Sequence, residues 1–308
     1  MRVAFFGTPE FAVPSLAALL DGGIEVPLVV TRADKPVGRH ADVHASPVGQ
    51  LAALRGIRTV KPEKIRGNAA FLEELRAARP DAAAVVAYGR ILPPEVLELP
   101  RLRCVNVHAS LLPKYRGASP IQAALLAGDR VTGVVTMRVE EELDAGAIYL
   151  ERRVSIETGE NAGELSERLA REGASLLYET MRRLNAGDLA ARPQAGEPSF
   201  CRPIRREDGH IDWTLRAEEI ERRLRAYTPW PGVFTFLGRE RIKLLDAAVV
   251  PCPEAKAPGA LFENAGAVLA AAGEGTALRL IRLQRAGKKP VNGGEFLRGV
   301  SALPARFE

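Results

Sequence analysis

The chain is 308 residues long and 46% apolar, enough to bury cores in two domains of ordinary size. No apolar stretch approaches the roughly 20 residues of a membrane span, and the apolar run from Val3 to Phe6 is too short for a signal peptide, so a cytoplasmic protein is expected. Cys104, Cys201 and Cys252 are scattered without C-x-x-C spacing, which argues against both disulfides and a zinc site.

In chain order, apolar runs at 2–6, 26–31, 82–87, 103–107 and 134–139 predict strands, several without polar alternation, as strands covered on both faces require. Helices are predicted between them at 10–20, 47–55, 69–78 and 120–127, two of them opened by Ser46-Pro47 and Ser119-Pro120, an N-cap with proline at the first helical position. The β-α-β-α order implies an α/β fold with an open, mostly parallel sheet. The longest helix is predicted at 161–185, with Asn161 and Glu164 in capping-box spacing and Leu165, Leu169, Leu176 and Leu177 on a helical period.

Residues 186–203 are rich in Gly, Pro and Ala without periodicity, which reads as a linker. A helix follows at 215–226, then short strands at 233–237, 241–249, 267–272 and 276–285, joined by Gly-rich turns as in a small barrel. The expected division is 1–188, a linker at 189–203, and 204–308. Lys and Arg balance Asp and Glu over 1–188, at 24 each, whereas 189–308 holds 19 against 14. That excess fits a polyanionic partner such as nucleic acid, with Arg202, Arg205, Arg206, Lys243, Lys288 and Lys289 as candidate phosphate contacts.

Chemistry concentrates in the segment 104–121. Asn106 and His108 lie two apart in an extended run, so both side chains point to one face at the end of a strand, where α/β sheets bind ligands. His108 is suited to carry a proton near neutral pH, and Asn106 offers an amide N–H to a negative oxygen. Asp144 follows another apolar strand, where a turn brings a carboxylate towards the imidazole. The segment 86–92 occupies the same edge as His108 and offers main-chain groups to a flat heterocycle. The turn Gly7 to Phe11 lacks G-x-G-x-x-G, and no P-loop occurs, so a nicotinamide dehydrogenase and a P-loop NTPase are excluded. His40 and His44 are four apart in a loop setting, and no metal is expected there.

Asn106-x-His108-x-Ser110-Leu111-Leu112-Pro113-x-Tyr115-Arg116-Gly117, with Pro120-Ile121 and a downstream Leu143-Asp144-x-Gly146, resembles the formyltetrahydrofolate-dependent formyltransferases. The runs 7–11, 86–93, 211–213, 229–232 and 286–289 are similar to the branch of that family acting on an aminoacyl-tRNA. The resemblance implies a Rossmann-like catalytic domain followed by an OB-like β-barrel that grips tRNA. It implies formyl transfer from 10-formyltetrahydrofolate, without a metal, to the α-amino group of initiator methionyl-tRNA. Asn106, His108 and Asp144 would be catalytic. Val86, Ala87, Tyr88, Gly89, Ile91, Leu92, Ser110, Leu111, Leu112, Pro113, Val139 and Leu143 would line or border the folate pocket. Arg32, Lys35, Arg39, Lys114 and Arg116 would join the basic residues above in tRNA binding, and a monomer is expected.

The chain departs from the family's pattern twice. Glu142-Leu143-Asp144-Ala145-Gly146 stands where the family has Gly-Leu-Asp-Thr-Gly, and in 31–45 Arg32, Lys35 and Arg39 are offset by Asp34 and Asp42. Acceptor-stem contact is therefore expected to rest on the barrel or on His40 and His44. A related enzyme acting on glycinamide ribonucleotide or an amino sugar would have no use for the basic final third, and a non-catalytic RNA-binding protein none for the Asn/His/Asp set.

Overall fold

The computed structural model describes residues 1–37, 42–300 and 305–308. They form two compact units, one of Met1–Pro120, Val131–Ile156 and Ser166–Cys201, the other of Ile121–Arg130, Glu157–Leu165 and Arg202–Glu308. Among the described residues no helix is long and apolar enough to cross a membrane.

The first unit contains β1 (Arg2–Gly7), β2 (Glu25–Val30), β3 (Lys35–Val37), β4 (Asp42–His44), β5 (Thr59–Val60), β6 (Ala82–Val86), β7 (Cys104–His108), β8 (Arg116–Gly117), β9 (Val131–Arg138), β10 (Ile148–Ser155) and β11 (Phe200–Cys201). Its helices are α1 (Val13–Asp21), α2 (Pro47–Leu54), α3 (Ala69–Ala77) and α4 (Pro94–Leu97), while α5 (Pro120–Ala127) passes into the second unit and α6 (Ala162–Ala186) begins there. Seven strands make the main sheet in the order β10-β9-β7-β6-β1-β2-β5. From β5 to β7 the pairing is parallel, and β9 and β10 join antiparallel.

Both faces of this sheet are covered, so β6 is buried along its whole length and shows no alternation. On one face Phe6, Val85, Cys104 and Tyr88 pack with Phe71 and Leu75 of α3 and Val96 and Leu97 of α4. On the other, α6 lies close enough to β7 that a Cβ on Gly173 would sit 2.8 Å from Val107 Cγ1. Ser46 caps α2 through Gly49 N–H, and Asn161 and Glu164 cap α6 reciprocally.

Two expectations change, and one strand, β10, is added. The ribbon β3–β4 pairs Lys35 with His44 where a loop is expected, its β-branched Val37 and Val43 suiting extended backbone; Arg39 and His40 lie outside the described residues. β10 carries polar side chains at an edge, so it lacks the apolar run by which the other strands are recognised. Residues 189–201 are not free of the first unit: Arg192 and Ile148 exchange both backbone hydrogen bonds at 2.8 Å, and β11 pairs with β8.

The second unit holds α7 (Ala217–Ala226), β12 (Val233–Leu237), β13 (Glu240–Pro251), β14 (Leu261–Asn264), β15 (Ala267–Ala271), β16 (Thr276–Arg285), β17 (Val291–Asn292) and α8 (Gly293–Arg298). The strands form one antiparallel sheet in the order β12-β13-β16-β15-β14, with β17 against β16. The C-terminal residues close it. Phe236 of β12 and Glu308 exchange backbone hydrogen bonds, while Leu261 of β14 donates to Ala305 and Phe307 donates to Gly259. Joining both edges removes the unpaired strand groups that an open sheet exposes. Inside, Phe307 stacks on Trp213 at 5.4 Å, and Trp213 Nε1 donates to Thr235 Oγ1 at 2.9 Å. We expect Phe307→Ala, which empties a site 1% exposed, to cost about 3–5 kcal/mol, read as a lowered urea midpoint.

Candidate active site

Parallel pairing of β6 with β7 sets Val86 beside Val107 and brings the carboxyl ends of both strands to one edge. Along β7 the alternation sends Cys104, Asn106 and His108 to one face and Val105 and Val107 to the other. Asn106 is partly exposed, and its amide makes no hydrogen bond among the described residues. His108 is 5% exposed.

The loop after β7 is anchored before it reaches the histidine. Leu112 packs with Val135, Met137 and Ile148, and Ser110 Oγ, fully buried, donates to the Lys114 carbonyl at 2.6 Å. Tyr115 then takes a left-handed conformation (φ 61°), and its carbonyl lies 3.0 Å from His108 Nε2. An imidazole N–H is the donor this carbonyl requires, so Nε2 carries a proton. At the other nitrogen, Nδ1 lies 3.6 Å from Asp144 Oδ2, an ion-pair separation. The ring thus lies between a carbonyl acceptor at Nε2 and a carboxylate within ion-pair range of Nδ1.

Asp144 reaches His108 from the turn that follows β9. Because β9 runs antiparallel to β7, its end lies beside Cys104 and Val105 instead of at the strand-end edge, and Val139 N–H donates to the Cys104 carbonyl. The 139–147 connection between β9 and β10 brings Asp144 to His108. Asp144 takes φ 50°, and its Oδ2 accepts from Gly117 N–H at 2.9 Å. A Cβ on Gly146 would stand 1.8 Å from the Arg138 carbonyl, so glycine is required for this turn, whereas Ala145 and Glu142 are accommodated. Glu142 Oε1 accepts from Arg116 Nη1 at 3.2 Å.

Three residues that belong to no motif, Gln194, Ser199 and Cys201, bond to this arrangement. Gln194 Nε2 donates to the carbonyls of Asp144 at 2.7 Å and Gly146 at 2.9 Å, while its Oε1 accepts from Arg116 Nη2 at 2.9 Å. Ser199 Oγ accepts from Tyr115 N–H at 2.9 Å. Cys201 Sγ lies against the Tyr115 and Arg116 carbonyls, and burial, with Asp144 adding to it, pushes its thiol up, so it stays a neutral donor. No periodicity marks this stretch, and no pattern in it flagged these side chains.

The remaining candidates divide. Ala87 (φ 48°) and Gly89 (φ 72°) are left-handed and exposed, and no backbone group of 87–91 bonds to another backbone group among the described residues. Ile91 and Leu143 are 75% and 61% exposed. Tyr88, Leu92 and Val139 pack into the core beneath, Tyr88 edge-on to Phe6 at 5.5 Å with its phenol pushed up by burial. Leu112 and Ser110 anchor the loop; Leu111 and Pro113 are half-buried, and Leu111 lies where a Cβ on Gly133 would collide with it. Arg116, a candidate tRNA contact, has a side chain 12% exposed that bonds to Gln194 and Glu142. Arg32 is half-buried, and Lys114 is exposed with its Nζ 5.6 Å from the Tyr115 ring centroid. In the second unit Arg205, Arg206, Lys243, Lys288 and Lys289 are exposed, as is Arg202, which Asp208 engages; that pairing holds the Asp208 carboxyl down at about 2.

An amide, an imidazole and a carboxylate gathered at one sheet edge is an arrangement suited to moving a proton while steadying a negative oxygen, as acyl transfer requires. Comparison with known proteins makes this specific. Residues 1–181 match the formyl transferase family and residues 203–301 match the formyl transferase C-terminal domain, and the chain belongs to that family. Proteins named methionyl-tRNA formyltransferase are similar over nearly their full length: one from Thermodesulfovibrio yellowstonii is 42% identical over 96% of this chain and 95% of its own, and one from Methylobacterium sp. (strain 4-46) is 45% identical over 97% and 96%. Among solved structures, the fold is shared with an N-formyltransferase from Helicobacter canadensis in complex with folinic acid and dTDP-3-aminofucose (TM-score 0.66, 17% identity, 92% of this chain and 99% of that one). It is also shared with HypX from Aquifex aeolicus in complex with tetrahydrofolic acid (TM-score 0.63, 18% identity), of which this chain spans 48%.

Gly146→Ala should drive the turn off the Arg138 carbonyl, lowering stability by about 1–3 kcal/mol and displacing Asp144. Denaturant unfolding and turnover would both register it.

Proposed function

We propose that this protein transfers the formyl group of 10-formyltetrahydrofolate to the α-amino group of initiator methionyl-tRNA. The observation that carries the reading is the Asn106, His108 and Asp144 grouping in a chain related end to end to proteins named for that reaction. The backbone of 87–89, left-handed at Ala87 and Gly89 and without a backbone–backbone hydrogen bond among the described residues, suits the edge of a pterin, and exposed Ile91 and Leu143 suit its faces.

The amine attacks as the free base, forming the new C–N bond as the carbonyl electron pair moves onto oxygen. Asn106 N–H and the positive His108 ring stabilise that oxyanion. Asp144 holds the ring's charge and relays the proton lost by the attacking nitrogen, and N10 takes up a proton as its bond to the formyl carbon breaks. One proton passes from amine to N10, and no bond to the enzyme forms. The exposed cations of the second unit serve the tRNA backbone, which makes binding salt-dependent. The half-buried, internally paired Arg116 is left out of that set.

With 10-formyltetrahydrofolate supplied, formylation of methionyl-tRNA is expected, with free methionine a poor acceptor. Absence of formylated product with active donor and intact tRNA would overturn the reading. His108→Ala and Asp144→Ala are each expected to lower kcat by about 10²–10⁴ with tRNA affinity retained in a filter-binding assay. Lost affinity at normal turnover would reassign both residues to binding.

A further inference from the structure

We propose that residues 192–201 are a positioning strap for the catalytic pair, in which Gln194 holds Asp144 and Ser199 holds the acceptor of His108; this rests on the roles given to those two residues above. The strap is fastened at both ends, by the paired hydrogen bonds of Arg192 with Ile148 and by β11 against β8. Between these fastenings its side chains reach the two elements that carry or contact the catalytic groups.

Gln194 can act in only one orientation. A guanidinium only donates, so Arg116 demands Oε1, and the two carbonyls of Asp144 and Gly146 only accept, so they demand Nε2. The amide thus ties the residues on either side of Ala145 to a single atom. Asp144 needs such a tie, because its φ of 50° is left-handed and unfavourable for a residue with a Cβ. β11 adds a second hold: it sets Gly117, whose N–H donates to Asp144 Oδ2, and at φ 120° a Cβ there would meet the Cys201 carbonyl at 2.2 Å. On the other side, Ser199 Oγ takes the Tyr115 N–H and so directs the Tyr115 carbonyl at His108 Nε2. None of these strap residues contacts reacting atoms; they act through Asp144 and His108.

The test is a kinetic cycle on the full-length protein, with kcat and KM for both substrates and a thermal midpoint for each variant. Gln194→Ala is expected to lower kcat by about 10- to 100-fold with KM changed less than about twofold, since misplacing a catalytic group by about 1 Å has that effect. The double variant Asp144→Ala/Gln194→Ala should be no slower than Asp144→Ala alone, because Gln194 has nothing left to place. Gln194→Glu keeps the acceptor for Arg116 but sets an oxygen against two carbonyls, and should lose kcat as Gln194→Ala does. If Gln194→Ala does not fold, Gln194→Glu and Ser199→Ala carry the same test, each expected to lower kcat at constant KM. Normal kcat in the Gln194 variants while Asp144→Ala is inactive would overturn the strap and leave the catalytic reading standing. A double variant slower by the product of both losses would also overturn it. Full activity in Asp144→Ala would overturn the catalytic reading and the strap with it.

Discussion

A buried imidazole has to find a partner for each ring nitrogen, and His108, 5% exposed, is the point about which the first unit is arranged. One partner is a backbone carbonyl, which can be aimed only by fixing the loop that carries it; the other is a carboxylate, which can be aimed only by fixing a turn. The loop is fixed by Leu112 in an apolar cluster and by Ser110 bonding across it to Lys114. The turn is fixed by Gly146 and by hydrogen bonds that converge on Asp144. Both solutions use left-handed residues that are not glycine, Tyr115 and Asp144, whose cost the surrounding bonds offset.

These supports act on a rigid base. With both faces covered, β6 and β7 place Val86 and His108 on one edge, and Val107 is pinned by the close approach of α6 at Gly173. Rigidity suits the proposed formyl transfer, in which one proton and one acyl group move without a covalent intermediate and placement and charge are left to lower the barrier. Asn106 would serve that reaction from the sheet itself, its amide making no hydrogen bond among the described residues.

In the second unit the same economy of edges appears in a different form. Short antiparallel strands leave two exposed borders, and the last residues of the chain bond to both, with Phe307 stacked on Trp213 inside. The surface that results keeps Lys243, Lys288 and Lys289 in solvent.

Periodicity and caps in the amino-acid sequence were sufficient for most of the regular elements: the strand at 233–237, the strand at 276–285 and the helix at 120–127 stand where their patterns put them, because burial of an apolar stripe and capping of an open helix end are local demands. The pairing of Asn106 with His108 on one face was likewise legible, since alternation follows from extended backbone alone. What the tertiary structure alone decided is how Asp144 reaches them. The antiparallel direction of β9, the polar edge strand β10 and the return of 192–201 across the site depend on contacts between residues tens of positions apart, such as Gln194 with Asp144 and Ser199 with Tyr115. A hydrogen bond of that kind leaves no period in the chain, so nothing in the composition of 189–201 showed that it bonds back to the residues around Asp144 and His108.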